Sequence, residues 1–133
     1  MDIKQELHKY LLTFILEDTY YGYNRNGKYI YSNLFKNPVQ KIFYWSEEDF
    51  QGMVYVIFKY KNTYILSNGS FGSCSGCDYW EGTRTIQELT IKLERVFNNL
   101  TFYQSLSDIK FNEYTHPDMI NSFNNFVELY QSS

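Results

Sequence analysis

Residues 39–67 read VQKIFYWSEEDFQGMVYVIFKYKNTYILS and hold three extended segments in succession. Val39 to Trp45 and Met53 to Tyr60 are dense in β-branched and aromatic residues, whose side chains suit a pleated, half-buried surface. The polar link 46–52 separates them. Lys61-Asn62 then predicts a tight turn into a third strand, Thr63 to Ser67, because Asn tolerates the positive φ that two-residue hairpins require. An antiparallel meander results. Its middle strand is continuously apolar from Met53 to Phe58, which predicts cover on both faces.

Helical periodicity flanks the meander. Ile3, Leu7, Tyr10, Leu11 and Phe14 recur at steps of three and four and predict a helix from about Asp2 to Leu16. Downstream, Thr85-Ile86-Gln87-Glu88 is a capping-box pattern that opens a helix to about Asn99, with Ile86, Leu89, Leu93, Val96, Phe97 and Leu100 on one face. A third helix starts near Pro117, which suits a first helical turn, and carries Ile120, Phe123, Val127 and Tyr130 inward. Between Thr19 and Pro38 the chain is rich in Tyr, Asn and Gly, so Asn24-Arg25-Asn26-Gly27 reads as a turn between two short extended pieces, an irregular hairpin. The expected fold is α+β, one domain over residues 1–133. Three to five antiparallel strands form the sheet, with three amphipathic helices packed mainly on one face.

Composition narrows the function classes. Apolar residues make up 44% of the 133 and aromatics 20%, enough area to offset the ordering entropy of the chain and to exclude disorder. No segment approaches the roughly 18 consecutive apolar residues of a membrane helix. The first residues, Met1-Asp2-Ile3-Lys4-Gln5-Glu6, lack a basic-then-apolar leader, and an intracellular, cytoplasmic protein is expected. Net charge is −3 with Lys and Arg scattered, so there is no footprint for a phosphate backbone and no nucleic acid is expected as partner.

The chemically unusual segment is Gly69 to Asp78. Its glycines and serines describe a backbone that turns sharply, and Cys74 and Cys77 stand at the C-x-x-C spacing that lets two thiols share a metal or form a disulfide. Structural zinc needs four ligands, so Asp78, His8 or His116, or a second copy of the chain, would have to complete a site on Cys74 and Cys77. A thioredoxin-like reading wants the motif at a helix start within a βαβ frame, whereas here the capping box follows eight residues after Cys77. A phosphate cradle lacks a Lys in the loop and meets negative charge at Asp78 and Glu81. The plain alternative is a connector in which Cys74 and Cys77 pack and Ser75 or Asp78 caps backbone amides.

Gly72-Ser73-Cys74-Ser75-Gly76-Cys77-Asp78, placed after a strand that follows the acidic-aromatic stretch Trp45 to Gly52, resembles small uncharacterised proteins of phages and large DNA viruses. Those proteins carry a GSCSGCD-type segment between a β-hairpin and a helix. The resemblance covers about residues 45–100, implies a viral or mobile-element origin and carries no activity with it.

The functional expectation is a small non-enzymatic binding module whose candidate contact residues are Gly72, Ser73, Cys74, Ser75, Gly76, Cys77, Asp78, Trp80 and Trp45. Trp45 and Trp80 with Glu47, Glu48 and Asp49 suit docking to a basic protein partner, and core anchoring of both tryptophans is the alternative. No cofactor is expected. The competing hypothesis is a zinc or thiol site at Cys74 and Cys77, and a Tyr-rich strand edge would suit a homo-oligomer.

Overall fold

A computed structural model describes residues 2–11, 27–48, 51–72, 80 and 85–132. In chain order its elements are α1 (Ile3–His8), α2 (Gly27–Ser32), β1 (Gln40–Ser46), β2 (Gly52–Tyr60), β3 (Thr63–Phe71), α3 (Ile86–Asn98), β4 (Thr101–Tyr103), a short 3-10 turn (Leu106–Asp108) and α4 (Pro117–Ser132). The strands form one sheet in the order β1-β2-β3-β4, antiparallel at every step. The expected meander is present, and the fold is α+β.

Lys61 and Asn62 form the two-residue turn between Tyr60 and Thr63, and Lys61 holds the positive φ, 55°. From there β2 and β3 pair without interruption to Gly52 and Phe71. The register of β1 on β2 slips between Lys41 and Phe43, which leaves Ile42 as the extra residue of a bulge.

Alternation along β2 divides the core in two. Val54, Val56, Phe58 and Tyr60 face one layer with Leu7, Ile30, Leu34, Trp80, Leu89, Leu93 and Phe97. Met53, Tyr55 and Ile57 face the other, with Phe43, Leu106, Ile109, Met119 and Phe123. The apolar run of β2 is thus covered on both sides, as its composition implies. Three helices, α1, α2 and α3, lie in the first layer, but α4 lies across the second. Packing mainly on one face is therefore only part of the arrangement, because the Met119 and Phe123 side of α4 needs an apolar surface of its own.

The structure corrects the reading of residues 19–38 where it describes them. Residues 27–32 are helical, not extended, and Leu11 bridges Phe35. Ile30 and Leu34 are fully buried at a four-residue spacing, so tertiary burial overrides the local preference of a Tyr- and Asn-rich segment. The first helix is also shorter than expected. α1 ends at His8 with Lys9 as its C-cap, residues 9 and 10 turn, and Leu11 is extended in its bridge to Phe35, so the helix does not run on through residues 9–11 toward Leu16. Residues 12–26 lie outside the described residues.

Candidate functional site

The meander places three chain segments at one end of the sheet. Ser46 pairs with Val54, Val54 with Gly69, and Gly52 with Phe71, so the end of β1, the link into β2 and the exit of β3 toward the Gly- and Ser-rich segment are neighbours.

At that end the link is folded tightly onto β2. Glu47 N–H donates to the Met53 carbonyl at 3.1 Å, and the Glu47 carboxylate accepts from Met53 N–H at 2.6 Å. Gly52 is required by this turn, because a Cβ there would strike the Glu47 side chain. Glu47 is thereby fixed beside Trp45.

The opposite wall comes from the start of α4. His116 Nδ1 accepts from Asp118 N–H at 3.1 Å, capping the helix and leaving the proton of the neutral ring on Nε2. The imidazole lies against the Trp45 indole with ring centres 5.2 Å apart. Between these walls is a cleft of about 350 Å³, lined by Trp45, Ser46, Glu47, Glu48, His116 and Asp118. An aromatic face beside three carboxylates attracts a cation, since ring quadrupole and carboxylate charge act in the same direction. Among family models, curated proteins and solved structures, nothing matches this chain.

The two tryptophans have separate surroundings. Trp45 is half-buried at the cleft, whereas Trp80 is fully enclosed in the other layer, where its ring meets Tyr31 edge-on at 5.7 Å. Trp80 is a core anchor, and of the two only Trp45 is open to a ligand. Gly72 is buried just past β3. Ser73, Cys74, Ser75, Gly76, Cys77 and Asp78 lie outside the described residues, and so does Asp49.

Among the described residues no group of three or more His, Cys, Asp or Glu side chains is arranged to hold a metal ion. The two histidines named as completing ligands for Cys74 and Cys77 stand on opposite sides of the sheet. His8 Nε2 meets Glu94 Oε1 at 2.6 Å and its ring packs against Phe97, while His116 packs against Trp45. They cannot both serve one site.

His116 and Asp118 are the cleft residues that sequence reading missed as contacts. His116 is legible as a helix cap from its place before Pro117, but only the fold brings it to Trp45.

Proposed function

We propose that the chain is a small non-enzymatic binding module that docks a basic segment of a partner protein at the end of the sheet where the Gly69–Asp78 segment departs. One observation carries the reading: the cleft in which the His116 ring lies tilted against Trp45 while Glu47, Glu48 and Asp118 stand around them. A Lys or Arg side chain laid on the indole gains a cation–π contact worth about 0.5–1 kcal/mol at an exposed site and about 2 when desolvated. Glu48 and Asp118 add attraction that salt screens, and the net charge of −3 favours the same partner. The viral resemblance of the Gly72–Asp78 segment makes a host or viral protein the partner on this reading.

Titration of the chain into a dye-labelled oligo-arginine peptide, followed by the fluorescence anisotropy of the dye, tests the proposal in the native chain and in Trp45→Leu alike. Saturable binding is expected that weakens with salt, is absent for an oligo-glutamate peptide, and falls by roughly tenfold in Trp45→Leu, the scale of one such contact. Equal affinity of Trp45→Leu and the native chain would end the proposal.

A further inference from the structure

On the layer opposite the Trp45 cleft, a second cavity lies between β3 and the C-terminal end of α3. We propose that it is a binding site for a small uncharged molecule bearing an amide group, acetamide being the simplest example. The site is separate from the peptide cleft and does not depend on that reading.

The cavity, about 120 Å³, is lined by Tyr31, Ser67, Asn68, Val96, Asn99 and Leu100 along with Leu66. Ser67 decides its chemistry. The residue is 1% exposed, and its Oγ is buried with no hydrogen-bond partner among the described residues. A buried hydroxyl in that condition favours any ligand able to give or accept a hydrogen bond.

Further polar groups supply the complement of an amide. Asn99 Nδ2 is committed to the Arg95 carbonyl at 2.9 Å, which leaves the Asn99 side-chain carbonyl to accept an amide N–H. β4 pairs only with Tyr64, Ile65 and Leu66, so past Leu66 the outer edge of β3 presents main-chain groups that no strand of the described sheet meets. The Ser67 hydroxyl and that edge can donate to the amide carbonyl, while Val96, Leu100 and the Tyr31 ring offer an apolar wall to a methyl group.

Size and charge limit the ligand further. A volume of about 120 Å³ corresponds to roughly four waters at ~30 Å³ each, the size of a molecule with a handful of heavy atoms. Among the described residues no Asp, Glu, Lys, Arg or His lines the cavity, so a charged ligand would lose its hydration without a counter-charge from them.

Two-dimensional NMR of the ¹⁵N-labelled full chain, titrated with acetamide and in parallel with its charged isostere acetate, tests the assignment. Acetamide should give saturable shifts at Ser67, Asn68 and Val96 to Leu100, and acetate should give none there. Ser67→Ala should weaken acetamide by roughly two- to tenfold, the loss of one hydrogen bond, with the rest of the spectrum intact. Val96→Ile, which adds a methylene to the wall, should weaken it without touching a polar group. Linear, unsaturable shifts with acetamide, equal shifts with acetate, or unchanged affinity in Ser67→Ala would each overturn the proposal.

Discussion

Gly69 has no side chain because the Tyr31 ring occupies the place where one would sit. Its φ is not positive, so packing rather than backbone conformation sets the requirement. Gly69→Ala should destabilise the fold by about 2–3 kcal/mol in a urea titration, the scale of overpacking in a filled core. In a Tyr31→Leu background the same change should cost distinctly less, and additive costs would refute the contact. At the cleft, Glu47→Gln should keep the bond from Met53 N–H, since an amide oxygen also accepts, while it removes one carboxylate charge. Arginine-peptide affinity should therefore fall severalfold with almost no change in thermal stability, whereas Glu47→Ala should lower both. The acidic-aromatic surroundings of Trp45 were legible in the sequence because they are contiguous with it. His116 and Asp118 were not, since no local pattern links the start of α4 to the end of β1.

Among the elements, those with a long, clean period were readable in advance. α3 shows its cap and its face together: Glu88 N–H donates to Thr85 Oγ1 at 3.0 Å, and Leu89, Leu93 and Phe97 are buried in register. Thr85→Ala should cost about 1 kcal/mol in denaturant unfolding, and Thr85→Ser much less. A Thr85→Ala variant as stable as the native chain would show that packing of the apolar face alone fixes the helix start. α2 escaped because its six residues, Gly27–Ser32, lie in a stretch whose Tyr and Asn content favours turns and strands, and only burial of Ile30 and Leu34 against the sheet makes it helical. β4 escaped because three residues carry no periodic signal, so its pairing with Tyr64 to Leu66 follows from where α3 delivers the chain.

At the scale of the molecule, both layers are tied to the rim of the β2–β3 hairpin by groups that keep their protons more tightly in the folded chain. Lys59 is held above the ordinary lysine range chiefly by its hydrogen bond to Tyr130 of α4, at 3.3 Å. Lys61 is raised chiefly by its hydrogen bond to the Glu6 carboxylate of α1, at 3.0 Å, and Tyr60 is raised by burial first and then by its hydrogen bond with Tyr10. In each case the folded chain binds the proton more strongly than the unfolded one, so the stabilising contribution is complete below the unfolded values near pH 10 and is lost as pH rises through the folded ones. The urea midpoint should thus hold steady from about pH 7 to 9 and fall above about pH 10, in the window where Lys and Tyr titrate. Tyr60→Phe removes the phenol but keeps the ring against Tyr10, and should flatten part of that fall; Lys61→Met removes the tie to α1 and should flatten another part. An alkaline loss of the same steepness in both variants would show that other groups couple proton binding to folding, and that the hairpin rim does not.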